Sequence, residues 1–293
     1  MEVMMRILTW NVQWFRGMDG RVDVARVLAH ALGWGEWPEV LCLQEVAQHL
    51  PGLAGAGETD QLAAVAAALP GYELFFAAAV DDWRPGRATR QRFGNLIATR
   101  VPVWQVRHLP LPYPADPAVP SMPRVLAALT VEAPWGPLRV GCTHLAYYSA
   151  AQRLAQARAL VAWQREAAAG AEAPPRTDVE PPDTPFQARV QARDAILCGD
   201  FNAAPGSDAY RTLVEPDGAA PPAFLDAWGL ARGAQPQPPT FRVHEPGETP
   251  VACDFIFVTP GLADGVRAVR LDPDTRLSDH QPLLLELAAP ARL

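Results

Sequence analysis

Residues 194–202 read Asp-Ala-Ile-Leu-Cys-Gly-Asp-Phe-Asn, an apolar run that closes on glycine and then alternates acid, aromatic and amide. A short apolar run bounded by polar residues is a strand candidate, and the Ala203-Ala204-Pro205-Gly206-Ser207 that follows marks a turn. Side chains alternate along a strand, so Asp200 and Asn202 are expected on one face with Phe201 packed on the other. A carboxylate beside an amide suits a reaction in which one group takes a proton from water and the other steadies the nucleophile. Taken alone, the same residues fit a turn in which Asp and Asn cap backbone groups equally well.

Working outward, further Val-, Ile-, Leu- and Phe-rich runs at 5–12, 39–44, 72–79, 94–99, 124–132, 137–143, 253–258 and 282–288 predict strands. Helical periodicity appears at 21–32, 60–69, 150–168 and 207–214, with Asp or Ser placed to cap several of the starts. Strands follow one another as often as they alternate with helices. That order fits two packed sheets flanked by helices better than a regular parallel ladder. Residues 110–123 and 215–222 read as Pro-rich loops, and 170–192 as a mobile Pro-rich surface excursion within one domain spanning 1–293.

Several polar groups stand at strand ends. Thr9-Trp10-Asn11 closes the first strand, Leu43-Gln44-Glu45 the second, and Thr143-His144-Leu145 follows the run Leu-Arg-Val-Gly-Cys, while Cys253-Asp254-Phe255 opens one strand and Ser278-Asp279-His280 precedes the last. In an antiparallel sheet, ends of strands running one way share an edge with starts of strands running the other, so these groups are expected to converge. An acid at the end of Val-Leu-Cys-Leu-Gln-Glu costs several kcal/mol to desolvate unless a cation offsets it, and Mg²⁺ is suited to one or two carboxylates with waters. An imidazole held by a carboxylate, Asp254 or Asp279 for His280, works as a general acid or base near neutral pH.

Composition narrows the partners. The 293 residues carry a formal charge of −7, and all 25 basic residues counted as Lys+Arg are arginine. No global positive field exists for condensing on nucleic acid, so a polyanion must be gripped locally or through a bound cation. Cys42, Cys142, Cys198 and Cys253 each sit in an apolar run without Cys-x-x-Cys spacing, which predicts buried thiols in a reducing, cytoplasmic setting. No apolar stretch of membrane-spanning length occurs in the sequence, and no obligate protein partner is indicated.

In order, the segments TWNVQ, LCLQE, GNLIATR, THL, GDFN, CDFIFV and SDH resemble those of the endonuclease/exonuclease/phosphatase superfamily, which includes exonuclease III-like enzymes, deoxyribonuclease I and neutral sphingomyelinases. The resemblance implies an α/β (α+β) fold: a four-layer α/β/β/α sandwich of two mixed, mainly antiparallel sheets flanked by helices. It also implies a Mg²⁺- or Mn²⁺-dependent hydrolase acting on a phosphodiester, with nucleic acid among the candidate substrates. Glu45 then corresponds to the principal metal ligand, with Asn11 and Asp279 lining the metal region. Asp200 corresponds to the group that activates water and Asn202 to a donor to the phosphate. His280, supported by Asp254, stabilises the transition state, and His144 touches a nonbridging oxygen or assists the leaving group. Arg92, Asn95 and Arg153 are candidates for substrate contact. The chain reads Asn11-Val12-Gln13 where many DNA-repair members read Asn-x-Asp, so one carboxylate of the metal region is missing. A phosphomonoesterase, a lipid-headgroup phosphodiesterase and a catalytically inactive scaffold of the same fold are the alternatives.

Overall fold

A computed structural model describes residues 3–176 and 183–291. The expected two sheets are present, each of six strands. The first runs β11(Val266–Leu271), β12(Leu283–Ala288), β1(Met4–Asn11), β2(Val40–Gln48), β4(Gln91–Thr99) and β3(Glu73–Asp82). The second runs β5(Val103–Pro110), β6(Val125–Ala133), β7(Gly136–His144), β8(Ala195–Asp200), β10(Asp254–Val258) and β9(Leu225–Asp226). Among the described residues, only β1 with β2 and β7 with β8 pair in parallel; every other neighbour is antiparallel.

Strand periodicity explains the layering. In β1, Met5 and Ile7 face the core between the sheets, whereas Leu8 and Trp10 face outward against α1(Val24–Trp34) and α2(Gln61–Ala68). In β8, Ile196 and Cys198 point inward while Ala195 and Leu197 pack outward against α3(Ala150–Glu172) and α4(Asp208–Val214). Both faces of the central strands are covered, which is why those strands read as continuous apolar runs instead of alternating ones. Asp23, Asp60, Ser149 and Ser207 each cap a helix start by accepting a backbone N–H.

Among the strands and α-helices of the described residues, four escape the sequence pattern: β5, β9, β11 and α5(Ala227–Arg232). β5 is an edge strand exposed along most of its length, β11 is broken by Arg267 and Arg270, and β9 has two residues. Such strands bury too little for an apolar run to mark them. The residues 111–124 form the expected irregular loop. Of the Pro-rich stretch 170–192, α3 takes the first residues. The carbonyls of Val190 and Ala192 accept hydrogen bonds from Gln105 and Arg139, which ties the far end to the second sheet; residues 177–182 lie outside the described ones. All four cysteines are buried and free. No described helix is long and apolar enough to cross a membrane.

Candidate active site

The inward-facing set of each central strand ends in a polar residue at one shared edge. Asn11 follows Met5 and Ile7 by strand parity, His144 follows Val140 and Cys142, and Asp200 follows Ile196 and Cys198. The register places His144 opposite Asp200, and Asp200 opposite Asp254 on the antiparallel β10. β7 and β8 approach closely at this point. A Cβ at Gly199, whose φ is +139°, would lie 1.9 Å from the Thr143 carbonyl oxygen, so only glycine fits there.

Glu45 does not obey the parity rule. It lies two residues from the outward Leu43, yet its carboxylate reaches the site, because β2 bulges: the pairing with β4 slips between Leu43 and Val46, and Glu45 takes φ +64°. β2 therefore continues to Gln48 instead of ending at Glu45, and the bulge re-aims the acid. A second departure concerns Asn202. β8 stops at Asp200, so the expected pleat does not extend to Asn202, which has φ +49°. A turn brings its amide to the site, fixed by its own N–H donating to Asp200 Oδ1 at 2.9 Å. Phe201 packs outward as expected.

The resulting network is closely spaced. Asn11 Nδ2 donates to Asp200 Oδ2 at 3.0 Å and to Glu45 Oε1 at 3.2 Å. His144 Nε2 lies 3.4 Å, and His280 Nε2 3.7 Å, from Asp200 Oδ2. Asn202 Nδ2 lies 3.0 Å from His144 Nε2 and donates to the Leu145 carbonyl. His280 Nδ1 sits 2.9 Å from Asp254 Oδ2, and Phe241 stacks on the imidazole with centroids 4.4 Å apart. Of the two carboxylates that the sequence leaves open as partner of His280, it is Asp254. Asp279 instead accepts a 2.6 Å hydrogen bond from Gln13 Nε2, so the glutamine that replaces the missing carboxylate has become a donor to the neighbouring one.

Burial sets the electrostatics. Desolvation, helped by the nearby Asp279, pushes the Glu45 carboxyl up to about 7. Desolvation and Asp254 push Asp200 up to about 6, against the opposing pull of His280 and Asn11. Burial by itself would lower His280, but Asp254 and Asp200 override it and hold the imidazole well above its usual range. His144 goes the other way: burial, then Arg124 and His280, keep it neutral. The two histidines are thus poised as a charged donor and a neutral partner.

The three substrate candidates are placed differently. Arg92 pairs with Asp81 at 3.2 Å on the β3–β4 hairpin and makes no hydrogen bond or ion pair with the cluster. Asn95 is buried between the sheets and donates to the carbonyls of Val125 and, at 3.5 Å, Cys142. Arg153 donates to the carbonyls of Ala146 and Tyr147, bracing the loop after His144. The arginine that does face the cluster is Arg124. It is 7% exposed, its Nε and one Nη lack hydrogen-bond partners, and while burial lowers its pKa, Asp200 and Glu45 act to raise it. It lines, with Asn95 and His144, a narrow cleft, and it also lines an adjoining recess of about 250 Å³ walled by Pro120, Met122, Ala146, Tyr147 and Tyr148. A signal for it exists in the sequence: β6 and β7 form a hairpin, so a residue at the start of β6 shares the edge occupied by His144 at the end of β7.

The donor set fits a hard divalent cation. Glu45 and Asp279 offer carboxylate oxygens, whereas Asn11 lines the same region with its Nδ2 toward Glu45 and Asp200 and its Oδ1 accepting from the Gln13 N–H at 3.1 Å; the carboxylates of Glu45, Asp200, Asp254 and Asp279 outnumber the charged partners His280 and Arg124. A buried acid pushed up to about 7 is one whose negative charge lacks compensation.

Known proteins share this architecture. A structure described as an endonuclease/exonuclease/phosphatase from Beutenbergia cavernae superimposes with a TM-score of 0.66 at 24% identity, over 98% of this chain and 72% of that one. A family protein from Bacteroides thetaiotaomicron gives 0.69 at 19% identity, over 100% and 98%. The mannosyl-6-phosphatase Bt3783 of the same species gives 0.64 at 19%, over 97% and 100%. At these identities the likeness is one of fold. No curated relative matches at a significant level. The family model described as "Endonuclease/Exonuclease/phosphatase family" matches residues 8–280, from the first strand to the histidine beside Asp254. The chain belongs to the endonuclease/exonuclease/phosphatase family.

Proposed function

We propose that this protein is a Mg²⁺- or Mn²⁺-dependent phosphodiesterase that hydrolyses a P–O bond with water activated at Asp200. The observation that carries the reading is the placement of one Asp200 oxygen, Oδ2, within 3.0–3.7 Å of the Asn11 amide and of both imidazoles, with Asp200 and both histidines buried. A carboxylate with a pKa near 6 is a competent proton acceptor at neutral pH.

Each remaining group has a task in an in-line displacement. Glu45 and Asp279 would hold the cation, with Asn11 steadying Glu45 and Asp200 through its Nδ2, and a bound cation would supply positive charge for the phosphoryl oxygens. Asn202 and the charged His280 donate to oxygens on which charge develops, and Asp254 fixes the ring and keeps it protonated. The neutral His144 hydrogen-bonds a further oxygen. The guanidinium of Arg124 clamps a phosphate oxygen through its unpaired N–H groups. The apolar recess beyond Arg124 provides room for a second ester substituent, which favours a diester over a monoester.

The test is hydrolysis of bis-p-nitrophenyl phosphate and p-nitrophenyl phosphate with Mg²⁺ or Mn²⁺, using Asp200→Asn as control. Diester cleavage that falls by about 10²- to 10⁴-fold in the variant, with unchanged thermal stability, is the expected result. Cleavage of the monoester alone would replace this reading with that of a phosphatase, the activity named for the Bacteroides neighbour. Full activity in the variant would remove Asp200 from the chemistry.

A further inference from the structure

Behind the catalytic carboxylate lies a second set of ligand atoms with different chemistry. A carboxylate oxygen of Asp200, the thiol of Cys253 and a ring nitrogen of His280 all lie within 4.8 Å of one another, and all three residues are buried. Cys253 immediately precedes β10, and its N–H is held by Thr240 Oγ1 at 3.1 Å. The partners of its sulfur are long: 3.9 Å to Thr240 Oγ1 and 3.6 Å to Asp254 Oδ2. Beside it, Asp254 Oδ1 is buried with no hydrogen-bond partner at all. A buried carboxylate oxygen left unpaired is costly, and it marks this corner of the site as short of positive charge.

This set is softer than the carboxylate oxygens of Glu45 and Asp279. Thiolate, imidazole and carboxylate together select Zn²⁺ or Cd²⁺ over Mg²⁺. Tetrahedral zinc, with bonds of about 2.0–2.3 Å, spaces its ligands by roughly 3.3–3.7 Å, so closing the three atoms onto an ion needs shifts on the order of 1 Å. His280 Nε2 and Asp200 Oδ2 already stand 3.7 Å apart.

We propose that Asp200, Cys253 and His280 form a binding site for a soft divalent cation, Zn²⁺ or its analogue Cd²⁺, and that filling it switches hydrolysis off. Binding displaces the thiol proton of Cys253 and one ring proton of the charged His280 to solvent, forming a sulfur–metal and a nitrogen–metal bond. It also withdraws the Asp200 oxygen and the His280 ring from the phosphoester reaction, and in that second clause the inference rests on the function proposed above. Cys253 itself takes no part in that reaction, which gives the inference its handle.

Two measurements on the full chain test it. In the first, the metal-free protein is titrated with Cd²⁺ while the ultraviolet cadmium–thiolate band is followed. A band that saturates at about one equivalent in the wild type and is lost in Cys253→Ala is expected. Cys42, Cys142 and Cys198 remain in the variant, so a band that persists there, or none in the wild type, overturns the site. In the second, Zn²⁺ is added to the Mg²⁺-supported hydrolysis of bis-p-nitrophenyl phosphate. Cys253→Ala is expected to raise the half-inhibitory Zn²⁺ concentration by about tenfold or more while leaving the Mg²⁺-supported rate unchanged. Equal inhibition of both proteins overturns the switch. Absence of any Mg²⁺-supported hydrolysis would instead sink the proposed function, and the Cd²⁺ titration would still decide the site.

Discussion

Asp254 shows how one buried residue sets the behaviour of another. Its Oδ2 sits 2.9 Å from His280 Nδ1 and, with Asp200, keeps that imidazole protonated despite burial. Asp254→Asn preserves the shape but removes the charge. Hydrolysis is expected to fall by about 10²-fold, and the alkaline limb of the pH–rate profile to move to lower pH, because His280 then loses its proton sooner. An unshifted limb would mean that His280 does not act as a charged donor. Arg124 makes a parallel case on the substrate side. Arg124→Lys keeps a positive charge but gives up the planar fork, so KM for the diester is expected to rise by about tenfold, corresponding to about 1.4 kcal/mol of lost phosphate binding. A KM equal to wild type would show that the guanidinium does not touch the phosphate.

At the level of elements, the site depends on backbone that departs from regular geometry. Gln13, Trp14 and Phe15 all adopt positive φ, between 44° and 61°, and none is glycine. Such residues cost of order 1–3 kcal/mol each and persist only where their surroundings impose them. Gln61, at the start of α2, supplies part of that imposition. Its Nε2 donates to the Trp14 carbonyl at 2.8 Å, while its Oε1 accepts from Ala47 N–H at 2.9 Å, just past the bulge that re-aims Glu45. One buried amide therefore ties the turn carrying Gln13 to the strand carrying Glu45. Gln61→Ala leaves two backbone groups unsatisfied and is expected to cost about 2–4 kcal/mol of stability, seen as a lowered urea midpoint, and to raise the Mg²⁺ concentration needed for half-maximal hydrolysis. If stability falls with no change in the metal requirement, the latch supports the fold but does not position Glu45.

For the molecule as a whole, the excess of buried carboxylates is expected to make stability depend on pH and, if the proposed cation binds, on metal. The Glu45 carboxyl has an ordinary value of 4.5 and a folded value of about 7. For an acid raised on folding, the stabilising contribution is present below 4.5 and is lost as pH rises through about 7. Metal-free Glu45→Gln is therefore expected to be more stable than metal-free wild type at pH 8, with the gap narrowing as pH falls toward 4.5. Added Mg²⁺ is expected to raise the Tm of wild type and not of the variant. Thermal melts across pH 5–8 with and without Mg²⁺ check both; a gap that does not change with pH would mean that Glu45 is not held in a desolvated, repulsive setting.

Much of the architecture was legible in the sequence, because central strands covered on both faces must be apolar throughout and polar residues at their ends stand out against that run. The ends at Asn11, Glu45, His144, Asp200, Asp254 and His280 were visible for this reason. Edge strands β5 and β11 were not, since a strand that buries little carries no apolar signature, and the same holds for the short β9 and α5. The choice of Asp254 over Asp279 as partner of His280 was also closed to the sequence, as both acids lie at the same edge and only side-chain direction separates them. So were the bulge that turns Glu45 inward, the turn that recruits Asn202, the burial of Arg124 and the approach of Cys253 to Asp200. Sequence alone determined which chemical groups gather at one edge, through strand periodicity and order. Tertiary structure decided which groups touch and which are desolvated, because contact and burial are set by packing between strands far apart in the chain.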